Sequence, residues 1–251
     1  MRRIAIAALA IAAVVLAAGG ALAAEKIRIG TEGAYPPFNE KNEKGELIGF
    51  DVDIAKALCA KMDADCTFVA QDWDGIIPAL KARKYDAIVA SMSITDERKE
   101  QVDFTDPYYA NYLQFIAKKG MMLSPTQDGL KGKTIGAQRA TVSSQHLEDN
   151  FGNVATIKLY DTQTAAYGDL KTGRLDAMLS DIYPALEWVN KPENKDYDLV
   201  GERIDIDDKI GIAVRKEDQE LKAKLNKALG AILKDGTYEK ISGKYFGRNI
   251  Y

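Results

Sequence analysis

Histidine, cysteine and tryptophan are scarce in this chain of 251 residues, which contains one, two and two of them. So few histidine and cysteine side chains cannot form the ligand clusters typical of zinc or iron sites. Lysine and arginine (34 residues) do not outnumber aspartate and glutamate (37 residues), and the net charge of −3 is accompanied by no basic cluster. The composition therefore predicts no metal, no cofactor and no nucleic-acid partner.

Long apolar runs are also missing, except at the amino terminus. Arg2 and Arg3 precede an apolar stretch from Ile4 to Ala18, and Ala21–Ala23 offers the small residues of a cleavage site. This order predicts a secretory signal peptide over residues 1–24, so the remaining chain is expected to be exported. A membrane anchor is the alternative, although the stretch is short and rich in alanine.

The two cysteines, Cys59 and Cys66, are close together in the sequence. In an oxidising compartment such a pair is typical of a disulfide, here between a helix end and the following strand. The only histidine, His146, is far away in sequence and is expected at the surface.

A buried strand runs directly into a helix start between Asp86 and Arg98. We expect Ser93 or Thr95 to cap this helix. The carboxyl end of such a strand is where open α/β sheets bind small ligands, and free N–H groups at a helix start favour an anion. Arg98 would add a two-pronged donor for a carboxylate. The alternative is an ordinary turn with Arg98 in solvent.

Residues 25–98 follow a β-α-β-α-β pattern that predicts a parallel α/β unit, and the pattern then starts again. Residues 80–89 and 170–179 share a helix end, a basic residue and a strand that begins with Asp-Ala. We interpret this echo as two similar lobes; a coincidence of two common junctions is the alternative. The predicted fold class is α/β, with lobe I formed by residues 25–110 and 211–251, lobe II by residues 111–210, and two crossings between them.

The echo places Ser180 and Asp181 where the first unit has Ala90 and Ser91. If the lobes face each other, Arg98 and Asp181 converge on one small molecule. A cation from one side and a carboxylate from the other suit the two ends of an α-amino acid.

Several motifs occur in a fixed order along the mature chain: Gly30–Phe38, Gly49–Asp53, Trp73–Pro78, Ser91–Thr95 with Arg98, Phe104–Tyr109, Leu130–Lys133, Gly173–Ala177 and Asp235–Tyr238. Together they resemble the periplasmic substrate-binding proteins of amino-acid ABC transporters, most closely the histidine and lysine/arginine/ornithine branch. The cysteine pair also lies where that branch has its disulfide.

The resemblance implies a type II periplasmic binding protein, in which two Rossmann-like lobes close on a free L-amino acid. It implies a periplasmic monomer that captures a polar, basic amino acid such as arginine, lysine, ornithine or histidine and delivers it to a membrane-embedded ABC permease. An exported cyclohexadienyl-type dehydratase of similar fold is the alternative, and a receptor's sensing domain is a third. No catalytic residue is predicted, because the sequence has no Gly-x-Ser-x-Gly motif and no second histidine.

The resemblance also implies roles for individual residues. Arg98 would bind the α-carboxylate with the backbone N–H groups of Ser93 and Thr141, and Asp181 would bind the α-ammonium with Ser91. Two aromatic rings would enclose the ligand side chain, and a glutamate would reach its cationic end. The implied ligand-binding set is Glu32, Tyr35, Trp73, Ala90, Ser91, Met92, Ser93, Arg98, Arg139, Thr141 and Asp181.

Five positions depart from the pattern of that branch. Ala90 replaces a serine, Val142 replaces a glutamine, and Glu32 is one methylene longer than the usual aspartate. Arg139 and Ala140 replace a more usual Gly-Ser or Gly-Thr. Arg139 either enters the pocket, where it would disfavour a cationic ligand, or points to solvent. These departures leave the preferred amino acid open.

Overall fold

The computed structural model describes residues 24–251. The predicted signal peptide therefore lies outside the described residues, apart from its last position. The strands are β1 (Lys26–Thr31), β2 (Ala34–Tyr35), β3 (Asn39–Lys41), β4 (Leu47–Ile48), β5 (Asp65–Ala70), β6 (Ala87–Ser93), β7 (Asp103–Phe104), β8 (Tyr109–Lys118), β9 (Thr134–Gln138), β10 (Thr156–Tyr160), β11 (Ala177–Asp181) and β12 (Tyr197–Val214). The helices are α1 (Phe50–Lys61), α2 (Ile76–Lys81), α3 (Asp96–Gln101), α4 (Gln127–Leu130), α5 (Val142–Phe151), α6 (Gln163–Lys171), α7 (Ile182–Val189), α8 (Gln219–Lys234) and α9 (Thr237–Phe246). No helix within the described range is long and apolar enough to cross a membrane.

One mixed sheet organises the fold, with the strand order β10-β9-β11-β8-β12-β6-β1-β5 and β7 beside β12. Its two ends are parallel: β5, β1 and β6 form one, and β9, β10 and β11 the other. The two long strands β8 and β12 are antiparallel and lie between these ends. Lobe I is the part built on β1, β5 and β6, and lobe II is the part built on β9, β10 and β11.

The hydrophobic core is divided in the same way. Helices α1, α8 and α9 cover one face of lobe I, where a cluster that includes Phe38, Phe50 and Tyr238 is almost inaccessible to solvent. In lobe II, the cores lie around Phe115 and Leu147 on one face and around Tyr167 and Trp188 on the other. Apolar strands covered on both faces are typical of parallel sheets.

Strand β12 connects the two cores by changing partners along its length. Tyr197–Val200 pairs with the far end of β8, whereas Ala213 and Val214 pair with β6 and β7. The sequence predicts only the apolar end of this strand, Ile210–Arg215, because Gly201, Glu202 and Arg203 interrupt the alternation of polar and apolar residues in its first half.

Two predicted helix starts need adjustment, and one helix of the structure is missing from the predictions. Thr95, not Ser93, caps α3 by accepting a hydrogen bond from the Arg98 N–H, and Ser93 is the last residue of β6. Helix α5 begins at Val142 rather than at Ser143 or Ser144, because the Thr141 side chain accepts a hydrogen bond from the Ser144 N–H. Helix α7, which follows Asp181 directly, was not predicted.

Cys59 and Cys66 form the predicted disulfide, which connects α1 to β5. A double Cys59→Ser/Cys66→Ser variant should lose about 2–3 kcal/mol of unfolding free energy, because the cross-link restricts the unfolded chain over a short loop. Urea unfolding measures this loss. A reductant should lower the midpoint of the wild-type protein and leave that of the variant unchanged. Equal midpoints for the oxidised wild type and the variant would contradict the prediction.

Candidate functional site

A cavity lies between the lobes. The carboxyl ends of β1 and β6 reach it from lobe I, and those of β9 and β11 reach it from lobe II. This placement follows from the topology, because parallel strands of a sheet end at the same edge. The lining residues are Glu32, Tyr35, Trp73, Ala90, Ser91, Ser93, Arg98, Gln138, Thr141, Val142 and Asp181.

Arg98, in the first turn of α3, reaches from lobe I toward lobe II. Its Nη1 donates to the Ser93 carbonyl at 2.9 Å and its Nη2 to the Ala140 carbonyl at 3.0 Å. The guanidinium also lies over the Trp73 ring, with its Cζ 5.3 Å from the ring centroid. These contacts use only part of the five-donor guanidinium, so Arg98 is oriented and keeps N–H groups for an anion.

Asp181, the last residue of β11, is the buried carboxylate of lobe II. Its Oδ2 accepts a hydrogen bond of 2.6 Å from the Tyr35 hydroxyl of lobe I. Burial, reinforced by the negative charge of Asp208, raises the pKa of Asp181. A carboxylate in this position favours a positively charged partner, because a cation offsets the cost of its burial.

Glu32 provides a second buried carboxylate, directly after β1, with only 8% of its surface exposed. Its Oε1 accepts a hydrogen bond of 2.7 Å from the Gln138 side chain of lobe II. Burial raises the pKa of Glu32 to about 7, against the opposing effect of that hydrogen bond. The structure gives this carboxylate a neutral partner and leaves its charge for a cation to balance.

Two aromatic side chains form part of the cavity wall. Tyr35 and Trp73 are both buried, and the Trp73 Nε1 donates to the Ala140 carbonyl across the cleft at 3.0 Å. Their rings offer apolar faces to an aliphatic chain and negative faces to a cation.

The predicted residues Ala90, Ser91 and Ser93 line the cavity through the end of β6, and Thr141 lines it from lobe II. The Thr141 N–H, predicted as a free donor, instead donates to the Ser144 Oγ at 3.2 Å. Because this N–H is used in capping α5, the main donor left for the anionic end of a ligand is the Arg98 guanidinium.

Two predicted residues are not among those that line the cavity. Met92 lies in an adjoining groove beside α3. Arg139 has a side chain that is 45% exposed, and its Nε bonds the Asp161 carboxylate at 3.0 Å. The reason is the alternation of β9: Gln138 faces inward with 2% exposure, so the next residue faces outward.

Gln138 and Val142 line the cavity but are absent from the predicted ligand-binding set, and the sequence pattern predicts a turn at Gln138. Its amide donates both to Glu32 and to the Asp161 carbonyl, the latter at 3.2 Å. A polar residue at the inward-facing end of an apolar strand was the available signal. No group of acidic, histidine or cysteine side chains suited to holding a metal ion occurs among residues 24–251.

Comparison with known proteins identifies relatives over nearly the whole chain. Residues 27–248 match the family model of bacterial extracellular solute-binding proteins, family 3. The lysine/arginine/ornithine-binding periplasmic protein of Escherichia coli is 41% identical over 233 residues, which cover 90% of each chain. The L-arginine-binding protein of Pseudomonas aeruginosa is 43% identical over 237 residues, covering 91% of each. An ancestral arginine-binding protein bound to arginine superposes with a TM-score of 0.84 at 43% identity, covering 88% of this chain and 98% of that one.

Replacing Glu32 by glutamine should remove a pH-dependent loss of stability. An unfolded glutamate titrates near pH ~4.3, whereas the pKa of folded Glu32 is about 7. The folded state holds this proton more tightly than the unfolded state. The contribution of protonated Glu32 to the unfolding free energy is therefore complete below about pH 4. It decreases by on the order of 3 kcal/mol as the pH rises to about 7.

Urea unfolding of the wild type and of Glu32→Gln at several pH values across this window measures the effect. Glu43→Gln, at an exposed turn position, is the matched control and should keep the wild-type pH dependence. Identical pH dependence in Glu32→Gln and the wild type would contradict the assignment.

Proposed function

The chain belongs to family 3 of the bacterial extracellular solute-binding proteins, and we propose that it captures a basic L-amino acid between its lobes for delivery to an ABC permease. It is a binding protein rather than an enzyme, as its relatives are. One relative is named for binding lysine, arginine and ornithine and another for binding L-arginine, and both names support a basic amino acid as the ligand. The periplasmic location of the Escherichia coli relative supports the same compartment for this protein.

The observation that carries the proposal is the charge balance of the cavity. Arg98 is its one cation, and Glu32 and Asp181 are its two buried carboxylates. The carboxylate and ammonium of an amino acid pair with Arg98 and Asp181, which leaves the Glu32 charge unbalanced. A ligand whose side chain is also cationic balances it, whereas a neutral side chain leaves a buried charge unpaired.

The proposal assigns each wall of the cavity one part of the ligand. Arg98 binds the α-carboxylate, Asp181 and Ser91 bind the α-ammonium, and Tyr35 and Trp73 enclose the aliphatic stem. Glu32, held by Gln138, binds the distal cation. Because Glu32 and Asp181 belong to different lobes, the ligand connects the two halves of the sheet.

We further propose the division of the chain that this mechanism requires. Lobe I comprises residues 25–110 and 211–251, and lobe II comprises residues 111–210. The strands β8 and β12 then act as the two hinge segments, since both run from one core to the other. The protein acts as a monomer, and the signal peptide over residues 1–24 directs its export.

Calorimetric titration and thermal denaturation with individual amino acids test the ligand class. L-arginine, L-lysine, L-ornithine or L-histidine at a hundred times its Kd should stabilise the protein by about 2.7 kcal/mol, because binding favours the folded state alone. Arg98→Ala should abolish binding of every amino acid, whereas Arg139→Ala, an arginine outside the cavity, should retain it. No response to any of the four basic amino acids would overturn the proposal.

Glu32→Gln tests how the side chain is recognised. At about pH 8, where Glu32 is ionised, the variant should bind L-arginine about 10- to 100-fold more weakly, because a hydrogen bond to a charged group is lost. Binding of L-glutamine, which has no distal cation, should change little. Equal losses for the two amino acids, measured by calorimetry, would mean that Glu32 does not read the side chain.

A further inference from the structure

Asp51 is a buried carboxylate to which the proposed function gives no role. It lies in the first turn of α1 with none of its surface exposed. Within residues 24–251 no lysine, arginine or histidine forms a salt bridge with it. Three neutral groups bond it instead: the Tyr108 hydroxyl at 2.6 Å, the Asn39 amide at 2.9 Å and the Ser91 hydroxyl at 3.0 Å. A buried anion without a cation is costly even when it is hydrogen-bonded, so its retention requires a reason.

Ser91, one of its three partners, lines the cavity. The backbone of Ser91 has φ of 52°, in the left-handed region that is unfavourable for a non-glycine residue. Its N–H donates to the Tyr108 hydroxyl at 3.2 Å, and Tyr108 in turn donates to Asp51. Asp51 and Tyr108 thus hold both the backbone and the side chain of this serine in a strained conformation.

The direction of the Ser91–Asp51 hydrogen bond determines what Ser91 can offer to a ligand. A hydroxyl has one hydrogen and two lone pairs, and an ionised carboxylate only accepts. Because burial raises the pKa of Asp51 to about 6, the group is ionised at neutral pH and above. The single hydrogen of Ser91 therefore points to Asp51, and its Oγ has only lone pairs left to offer another group.

We propose that Asp51 is a positioning residue that fixes the Ser91 hydroxyl as an acceptor, so that the floor of the cavity recognises the ligand α-ammonium. This inference rests on the proposed amino-acid function. It explains why an acid rather than an amide bonds the Ser91 hydroxyl. An amide N–H could donate to the Ser91 Oγ, and the hydroxyl hydrogen of Ser91 would then be free to point toward the ligand. Such a reversed hydroxyl would repel an ammonium group.

Asp51→Asn tests the inference by calorimetry with L-arginine at about pH 8. The variant should bind about tenfold more weakly, the effect of one charge-assisted hydrogen bond of about 1.4 kcal/mol. Asp53→Asn is the matched control, because Asp53 lies on the same helix and bonds Lys244 at the surface. It should bind L-arginine as the wild type does. Unchanged binding by a folded Asp51→Asn variant would overturn the inference.

A double-mutant cycle separates positioning from a merely structural role. In a Ser91→Ala background, Asp51→Asn should weaken binding no further, because Asp51 acts through the Ser91 hydroxyl. If Asp51→Asn costs the same affinity with Ser91 and without it, its effect is structural and the inference fails.

A second measurement needs no Asp51 variant, should that variant fail to fold. Ser91→Ala should weaken binding of L-arginine but not of the arginine analogue that lacks the α-amino group, because the lone pairs of Ser91 serve only the ammonium. Equal weakening of both ligands would overturn the inference. Wild-type protein that binds no amino acid in the same series would refute the proposed function itself, a result distinct from these.

Discussion

The interaction on which the cleft depends is the pairing of buried acids with neutral hydrogen-bond donors. Asp181 accepts from Tyr35 and Glu32 accepts from Gln138, and in both cases the donor and the acceptor come from opposite lobes. Such bonds satisfy the oxygen atoms but do not neutralise their charge. Above about pH 7, where Glu32 is ionised, the folded protein therefore keeps negative charge in a region of low dielectric. A cation that enters the cleft offsets the cost of burying this charge.

Arg98 is the cationic side chain of the cavity that could neutralise part of this negative charge. Its guanidinium donates to carbonyl groups of both lobes and stacks on Trp73, so its position is fixed by neutral partners rather than by a salt bridge. A salt bridge to Asp181 would satisfy both charges and leave little reason to bind a zwitterion. Holding the cation and the anion apart, each on neutral supports, keeps both available for the two ends of an amino acid.

Much of this arrangement could be predicted from local sequence. An apolar strand followed by hydroxyls and Arg98 identified one side of the cleft, and the Asp-Ala echo identified Asp181 on the other. Gln138 and Asp51 could not be recognised in that way. Gln138 acquires its role by meeting Glu32, which is 106 residues away in sequence. Asp51 matches the pattern of an ordinary acidic helix start, and only the packing of Tyr108, Asn39 and Ser91 around it reveals a buried anion.

The same limit applies to the direction of side chains. Arg139 and Gln138 are neighbours, and the choice of which one faces the cavity is made by the register of β9 in the sheet and not by composition. A shift of one residue would exchange the two, placing a cation where the structure has an amide. Asp161 further stabilises the observed direction by pairing with Arg139 outside the cavity.

The departures from the related branch then acquire a physical meaning. Ala90 and Val142 line the cavity with apolar surface, at the two positions where the resemblance predicts a hydroxyl and an amide. The polar groups left to read the far end of the ligand are Glu32 and its support, Gln138. A single carboxylate attracts a cation without fixing its shape, whereas discrimination among guanidinium, ammonium and imidazole requires further directed donors and acceptors. On the proposed function, the cleft therefore selects a positive side chain strongly and distinguishes weakly among the groups that carry it.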